Sequence, residues 1–428
     1  MRGARPLRVA LLSYRGNPYS GGQGVYVRHL SAALRDLGHA VTVFSGQPYP
    51  DVGGGVELVE VPSLDLYQPA DPFRRPRRRE FHTAIDALEY AVMCAAGFPE
   101  PLTFSLRMWE LLRRRLSDFD IVHDNQGLGW GVLALQRAGL PVIASIHHAV
   151  VIDRDLAMAA QPTWHQKLMT RRWYHFHRMQ SRVARRLLRV LTVSEQSRLD
   201  IVRHMGVAPE RIGVIPIAVD GGVFAPLPEL ARVPGRIFAV ASSDVPLKGV
   251  LPLLHAVARL RETRDVDLVV LGEARPQGDV AEAVRALGLS PVVRFVRGID
   301  DADVARCYAE AEVAVVPSLY EGFSIPALQA LACGVPLVAT SAGALPEVAG
   351  ADGDTVLLVP PGDPVALASA VGRVLDDPVL RTHLAAAGRR RATELFSWTR
   401  CAESTVAEYR RVLGGGGSAA AGNPGRHR

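Results

Sequence analysis

Short apolar runs alternate with segments of helical periodicity along most of the chain, and this alternation limits the folds open to it. The first run, residues 7–13, leads into a glycine-containing loop. Residues 25–37 then carry apolar side chains at helical spacing, and residues 40–44 form a second apolar run. Strand, helix and strand in this order predict a βαβ unit. Repeated units predict a parallel, doubly wound α/β sheet.

The pattern occurs in both halves of the 428 residues, which predicts two Rossmann-like domains. Prolines interrupt regular structure between residues 205 and 235, so we place the linker there. We expect an N-terminal domain at 1–210, joined by a C-terminal helix at 398–413, a second domain at 211–397 and a disordered tail at 414–428. Further strands are predicted at residues 56–61, 121–123, 142–146, 190–193, 236–241, 266–271, 292–296, 313–316 and 336–339.

The composition is that of a globular protein, with 48% hydrophobic and 21% charged residues. No stretch approaches the roughly 18 uninterrupted apolar residues of a membrane span. Residues 1–8 run into the first strand without the pattern of a cleavable signal. We therefore expect a cytoplasmic protein.

The net charge of +6 is distributed unevenly, because residues 1–225 carry +8 and residues 226–428 carry −2. Arginines on solvated helix faces are the commoner cause of such an excess. The alternatives are an anionic membrane surface, a charged acceptor or nucleic acid. Nucleic acid is not expected as a partner, because no aromatic stacking platform or recognition motif accompanies the charge.

Much of this charge lies at residues 171–190, with a smaller basic run at 74–79. Trp173, Phe176, Val183 and Leu187 recur at helical spacing among seven arginines, which predicts one basic amphipathic helix. The favoured interpretation is a helix that packs on the core and leaves its arginines in solvent. The alternative is peripheral attachment to anionic lipid at the inner face of the cell membrane.

The stretch most informative about chemistry is residues 317–336, which follows a predicted strand and ends at a glycine. Gly322 and Ser324 leave backbone amides accessible, and Pro326 suits the first turn of a helix. A helix that starts here would direct free N–H groups at the loop, which predicts an anion site. Glu321 would repel a phosphate but could accept hydrogen bonds from sugar hydroxyls.

This stretch resembles the signature of the retaining glycosyltransferases of family 4, which have the GT-B fold of two Rossmann-like domains and an interdomain cleft. The resemblance covers nearly the whole chain. Its motifs, in order, are Gly21-Gly22, Ser145 to His147, Leu191 to Ser194, Ile215 to Asp220, Pro246 to Gly249, Glu321-Gly322-Phe323, Gly343 to Glu347, Pro361 to Asp363 and Phe396 to Trp398.

The resemblance implies a nucleotide-diphosphate sugar as donor, with UDP or GDP as its nucleotide, and no metal or other cofactor. In the family, the lysine at the position of Lys248 contacts the diphosphate, where a fixed cation stabilises the charge that develops on the leaving group. His147 matches the histidine that faces the sugar or the reaction centre. With Glu321, these are the expected catalytic residues. The other expected donor-binding residues are Gly21, Gly22, Ser243, Gly322, Phe323, Ser324, Ile325 and Gln329.

The acceptor implied by the resemblance is a hydroxyl of a glycan, a glycolipid or a small molecule, as in the synthesis of cell-envelope glycolipid or polysaccharide. The first domain would hold this acceptor. The family's stereochemistry implies retention by attack on the front face, with the departing phosphate oxygen taking the acceptor proton. No protein nucleophile is then needed.

Three changes around the donor, one of them in a pair of residues, depart from the family pattern. Gln329 replaces a glutamate that accepts both ribose hydroxyls, which would weaken this contact by about 1–2 kcal/mol. Ser243 replaces a phosphate-binding arginine. Ile217 and Ala218 replace an Asn-Gly pair near the linker.

These departures keep two alternatives open. One is a catalytically silent, glycosyltransferase-like binding protein. The presence of Lys248, Glu321 and His147 argues against it. The other is a different GT-B enzyme, such as a nucleotide-sugar epimerase or a phosphorylase, which its products would distinguish from a transferase.

Overall fold

The structure, a computed structural model, describes residues 5–16, 22–68, 71–159, 161–241 and 246–415. The chain divides into two compact units. The first unit comprises Met1–Val193, Ser197–Ile215 and Cys401–Arg428, and the second comprises Ser194–Gln196 and Pro216–Arg400.

The strands of the first unit are β1 (Arg8–Ser13), β2 (Ala40–Ser45), β3 (Glu57–Glu60), β4 (Tyr67–Gln68), β5 (Asp71–Pro72), β6 (Ile121–Asn125), β7 (Val142–Ile146), β8 (Arg189–Thr192) and β9 (Ile212–Val214). Seven of them form one parallel sheet in the order β3-β2-β1-β6-β7-β8-β9, and β4 pairs with β5. The strand order reverses between β1 and β6, so the loops after these strands open a crevice at the carboxyl edge of the sheet.

Helices connect these strands up to residue 205. Within the described residues they are α1 (Gly22–Asp36), α2 (Ala84–Cys94), α3 (Glu100–Leu112), α4 (Trp130–Arg137), α5 (Val150–Ala159), α6 (Trp164–Trp173), α7 (His177–Ala184) and α8 (Glu195–Met205). Every residue of β6 and β7 is buried, as expected of central strands in a parallel sheet. The core joins strand residues such as Val122 to helix residues such as Val132 and Val183.

The basic segment at residues 171–190 is not one helix, so that prediction was wrong. Helix α6 ends at Trp173, a 3₁₀ turn follows at Tyr174–Phe176, and α7 ends at Ala184. Arg189 and Val190 already belong to strand β8. The helical spacing of the apolar residues is still explained, because Phe176 on the 3₁₀ turn and Val183 on α7 both face inward.

The second unit contains a six-stranded parallel sheet of β10 (Arg236–Val240), β11 (Asp267–Leu271), β12 (Val293–Val296), β13 (Val313–Val316), β14 (Leu337–Thr340) and β15 (Leu357–Val359). The order is β12-β11-β10-β13-β14-β15, which reverses between β10 and β13. The helices that follow are α9 (Val250–Leu260), α10 (Asp279–Ala286), α11 (Asp301–Glu310), α12 (Ile325–Ala332), α13 (Leu345–Ala349), α14 (Pro364–Asp376), α15 (Pro378–Leu395) and α16 (Trp398–Gly415). The predicted pair of parallel α/β sheets is confirmed.

Several element ends differ from the expectations. Strands β9 and β15 were not predicted, and β9 pairs with β8 although it lies beyond the boundary expected after residue 210. The C-terminal helix, expected at 398–413, extends to Gly415, and from Cys401 onward it groups with the first unit. The remainder of the expected disordered tail, residues 416–428, lies outside the described residues. Over the described ranges, no helix has the length and apolar character needed to cross a bilayer.

Candidate active site

The loop after β13 leads into α12 in the order of strand, loop and helix that the sequence predicts. Ser324 is the N-cap of α12, with φ +88°, and its Oγ accepts a hydrogen bond from the backbone N–H of Ala327 at 3.4 Å. Pro326 lies in the first turn, where its missing N–H costs nothing. The loop stands at the carboxyl edge next to the point where the strand order reverses. Because Pro326 has no N–H and that of Ala327 is capped by Ser324, the backbone N–H of Ile325 is the donor in this first turn that is available to a phosphate.

Lys248 and Glu321 meet at this loop, although 73 residues separate them in sequence. Lys248 Nζ donates to Glu321 Oε1 at 2.8 Å, and Ser318 Oγ donates to the same oxygen at 2.7 Å. The Glu321 side chain is 10% exposed and that of Lys248 is 31% exposed. Glu321 Oε2 makes no hydrogen bond to the residues that the structure describes. One carboxylate oxygen is therefore fixed and the other can accept from a ligand hydroxyl.

Two glycines allow the segments that carry these side chains to approach each other. Gly249 has φ +65°, and a Cβ there would lie 1.9 Å from the carbonyl oxygen of Pro317. Gly343 has φ +57°, and a Cβ there would lie 2.2 Å from the carbonyl oxygen of Glu321. Both positions require a left-handed backbone and no side chain. The loop that holds Glu321 is thus clamped between the Lys248 turn and the segment after β14.

The other expected donor residues of this loop lie around the same helix start. Phe323 is buried and packs edge-on against Phe396, with ring centroids 6.0 Å apart. The carbonyl oxygen of Gly322 accepts a hydrogen bond from Ser194 Oγ at 2.7 Å. Ile325 and Gln329 lie on α12 and are partly buried.

His147 follows β7 in the first unit and is held from two sides. Its Nε2 lies 2.8 Å from Asn125 Oδ1, and its backbone N–H donates to Gln126 Oε1 at 2.8 Å. The edge of the Tyr26 ring contacts the imidazole, with centroids 4.7 Å apart. Desolvation, followed by the charge of His148, lowers the pKa of His147 to about 3. The ring is therefore neutral at physiological pH. An amide oxygen only accepts, so Nε2 carries the proton and Nδ1 can accept a hydrogen bond.

A buried chain of hydrogen bonds that the sequence did not predict continues behind His147. Tyr409 of α16 lies 2.7 Å from His123 Nδ1, and His123 Nε2 lies 2.7 Å from Ser145 Oγ. Ser145 Oγ in turn lies 3.1 Å from the hydroxyl of Tyr26. Desolvation, with a smaller effect of His147, lowers the pKa of His123 to about 3, so this imidazole is neutral.

Asp124, next to His123, is fully buried at the end of β6. Its Oδ2 accepts the backbone N–H of Leu128 at 2.6 Å. Burial nevertheless raises the pKa of Asp124 to about 7. Gln126 and Leu128 both have positive φ, which marks a tightly constrained turn after β6. The run of polar residues 123–126 at the carboxyl end of a predicted strand was the sequence signal that could have indicated this cluster.

Two expected donor-binding residues, Gly21 and Ser243, lie outside the described residues. Gly22 is the first residue of α1. The altered pair Ile217 and Ala218 is buried. Across the parts of the chain that the structure describes, His, Cys, Asp and Glu side chains form no group of three or more that could hold a metal ion.

Known families match the chain in both of its halves. The model of the glycosyl transferases group 1 matches residues 234–377, and that of glycosyltransferase family 4 matches residues 20–221. An MMP α-(1→4)-mannosyltransferase from Mycolicibacterium hassiacum is 50% identical over 408 residues, which cover 95% of this chain and 98% of that protein. A D-inositol 3-phosphate glycosyltransferase from Kribbella flavida is 30% identical, with 95% and 96% of the two chains covered.

Solved structures show the same architecture. Sucrose-phosphate synthase from Thermosynechococcus elongatus superposes with a TM-score of 0.71 at 24% identity, over 96% of this chain and 100% of that one. Anabaena HepE in complex with UDP and glucose gives a TM-score of 0.69 at 17% identity, over 94% and 99% of the two chains. At these identities the likeness concerns the fold alone. Together with the relative at 50% identity, it confirms the expected class: the chain belongs to glycosyltransferase family 4 and is a glycosyltransferase of the GT-B fold.

Proposed function

We propose that this glycosyltransferase moves a mannosyl residue from a nucleotide-diphosphate sugar to a hydroxyl of a glycan acceptor, with retention of configuration. The main observation in support of this reaction is the contact between Lys248 and Glu321 at the start of α12. It brings a cation, a carboxylate and the first backbone N–H of the helix, that of Ile325, to one loop, where a sugar diphosphate can contact all three. The choice of mannose rests on the relative that is 50% identical and is named an α-(1→4)-mannosyltransferase.

In this proposal the second unit holds the donor. Lys248 and the backbone N–H of Ile325 at the start of α12 bind the diphosphate, where they stabilise the charge of the leaving group. Glu321 accepts hydrogen bonds from the sugar through its accessible oxygen. Gly322, Phe323, Ser324 and Ile325 shape the pocket, and Gln329 contacts the ribose. The proposal assigns Gly21, Gly22 and Ser243 to the diphosphate side on the family pattern alone.

The first unit holds the acceptor, with His147 at the reaction centre. The bond between the anomeric carbon and the diphosphate oxygen breaks through an oxocarbenium-like transition state. The acceptor oxygen bonds to the same face of the anomeric carbon, and its proton passes to the departing phosphate oxygen. Neutral His147 donates from Nε2 to Asn125 and orients a hydroxyl through Nδ1. An α-linked nucleotide sugar would then give an α-linked product.

For the acceptor, a mannoside of a cell-envelope glycolipid or polysaccharide fits the relative's α-(1→4) linkage. The Kribbella flavida relative is named for D-inositol 3-phosphate, which makes that compound the second acceptor to test. We place the reaction in the cytoplasm, where nucleotide sugars are available. The arginines of α6 and α7 provide a surface for peripheral association with anionic lipid, and binding that is equal on neutral and anionic vesicles would contradict this part of the proposal.

A product assay tests the function directly. The purified chain is incubated with GDP-mannose, UDP-glucose or another nucleotide sugar, together with a mannoside, D-inositol 3-phosphate or no acceptor. We expect a free nucleoside diphosphate and an α-(1→4)-mannosylated product from one donor and the mannoside. Lys248→Ala should abolish the formation of both products. An isomerised nucleotide sugar would indicate an epimerase. Binding without any product across the panel would favour the silent binding protein.

A further inference from the structure

A cavity of about 390 Å³ lies in the first unit, and its lining includes none of the residues proposed for the donor or the reaction centre. It opens between the end of α2, the start of α3, the first residue of α4 and the segment from α6 to α7. Its volume falls within the range of small-molecule sites. Six side chains supply most of its apolar lining: Val92, Phe98, Leu102, Trp130, Phe176 and Met179.

An aromatic cluster holds the floor of this cavity in place. The ring centroid of Phe98 lies 5.2 Å from that of Trp173 and 5.4 Å from that of Phe176. Tyr67 in turn lies 5.3 Å from Trp173 and 5.4 Å from Phe98. Ring contacts at these distances stabilise the packing of the side chains that form the apolar floor.

The rim of the cavity is cationic. Arg172, Arg178 and Arg182 line it together with His175, and all four are exposed. None of the lining residues is acidic. Among the described residues, no carboxylate forms an ion pair with any of these three arginines. Arg154, by contrast, pairs with Asp155.

The positive charges on this rim repel one another. Arg178 and Arg182 are four residues apart on α7, where like charges destabilise a helix. Arg172 lies on the preceding helix, α6, and lines the same cavity. A guanidinium binds phosphate and carboxylate through paired N–H groups, so an anion between these arginines would relieve their repulsion.

We propose that this cavity binds one amphiphile, which places an alkyl or prenyl chain on the aromatic floor and an anionic head group among Arg172, Arg178 and Arg182. Neither feature alone requires such a ligand, since a rigid apolar cavity also suits neutral compounds and a basic rim also suits free anions. Their adjacency selects a molecule that carries both parts. The proposal is independent of which sugar the enzyme transfers.

Titration of the full chain with decyl phosphate, below the concentration at which it forms micelles, tests the proposal by calorimetry. We expect one molecule to bind per chain, with inorganic phosphate and a neutral decyl glycoside each binding at least tenfold more weakly. The double variant Arg178→Gln with Arg182→Gln should bind decyl phosphate at least tenfold more weakly. The matched control is Arg185→Gln with Arg186→Gln, which removes two exposed arginines just beyond α7 that do not line the cavity.

Several outcomes would overturn the proposal. Equal binding of inorganic phosphate would indicate an anion site without a lipid part, and equal binding of the neutral glycoside would indicate a plain apolar cavity. Equal losses in both double variants would indicate a general effect of charge. If decyl phosphate fails to bind while anionic vesicles bind through Arg178 and Arg182, the arginines form a membrane surface. Nucleoside diphosphate binding, measured on the same samples, reports on the transferase site separately.

Discussion

Lys248 Nζ lies 2.8 Å from Glu321 Oε1, so the cation proposed for the donor diphosphate is paired with the carboxylate proposed for the donor sugar. A diphosphate that enters the site therefore has to share Lys248 with Glu321, or replace it. The two residues would act as a unit, in which the carboxylate holds the ammonium in position and lowers the positive charge that an anion meets.

Glu321→Gln separates these two effects. The amide keeps the shape of the side chain but leaves Lys248 without its counter-charge, so a nucleoside diphosphate should bind as tightly as to the wild type or a few-fold more tightly. Sugar transfer should fall about 100-fold, because the sugar loses its charged acceptor. Calorimetry with the diphosphate and initial rates of transfer measure the two quantities. Glu282→Gln, which changes an exposed residue of α10, is the control.

If Glu321→Gln weakened the binding of the nucleoside diphosphate and of the nucleotide sugar equally, the carboxylate would serve only to position Lys248. The proposed contact between Glu321 and the sugar would then be wrong.

Gly249→Ala tests the close approach beneath Lys248. The new Cβ would lie 1.9 Å from the carbonyl oxygen of Pro317 at a φ of +65°, so the turn has to move. We expect nucleotide binding to weaken at least tenfold and the free energy of unfolding to fall by about 1–3 kcal/mol. Gly288→Ala is a matched control, because Gly288 has the same φ and nothing within 4 Å of the added Cβ. Equal effects of the two substitutions on nucleotide binding would contradict the steric explanation.

Gln329→Glu restores an acidic side chain on α12 where the family pattern has one. If Gln329 contacts the ribose, a carboxylate that accepts from both hydroxyls should bind the nucleotide about 5- to 30-fold more tightly, which corresponds to roughly 1–2 kcal/mol. Dissociation constants for the nucleoside diphosphate measure the change, with Gln329→Ala as the opposite substitution. Unchanged affinity in both variants would place the ribose away from this residue.

The sequence predicted the architecture well, because parallel strands produce buried apolar runs such as residues 142–146, which are β7. It failed where a strand is very short, as at Ile212–Val214 and Leu357–Val359, since three residues show no periodicity. The prediction of a single helix at 171–190 was wrong because apolar spacing does not reveal a 3₁₀ turn such as Tyr174–Phe176 between two helices.

For the site, the motifs indicated which side chains matter but not how they meet. The contact between Lys248 and Glu321 spans 73 residues, and that between His123 and Tyr409 spans 286. Such pairs depend on strand order and on where α16 packs. Neither is visible in local sequence patterns.

The buried carboxylate of Asp124 predicts a pH dependence of stability. Its pKa is raised from 3.8 to about 7, so between these values the folded chain binds more protons than the unfolded chain. This contribution to stability is present below pH 3.8 and is lost as the pH rises through about 7. Asp124→Asn should therefore melt at a higher temperature than the wild type at about pH 8, with the difference shrinking towards about pH 5.

Asp118→Asn is the control for that measurement, because it removes an exposed carboxylate near the start of the same strand. A melting difference for Asp124→Asn that stays constant between about pH 5 and 8 would mean that Asp124 is ionised throughout this range. Buried neutral His123 has the opposite effect on the pH dependence of stability. The pKa of His123 is lowered from 6.5 to about 3, so its contribution is lost as the pH falls below about 6.5.

The central claim is that the donor diphosphate binds at Lys248 and the start of α12. Calorimetric titration of GDP and UDP into the wild type and into Lys248→Ala tests it most directly, with Glu282→Gln as the control. We predict that the wild type and the control bind one of the two nucleotides with equal affinity, and that Lys248→Ala binds it at least tenfold more weakly. Binding of neither nucleotide by the wild type, or unchanged affinity in Lys248→Ala, would contradict the account.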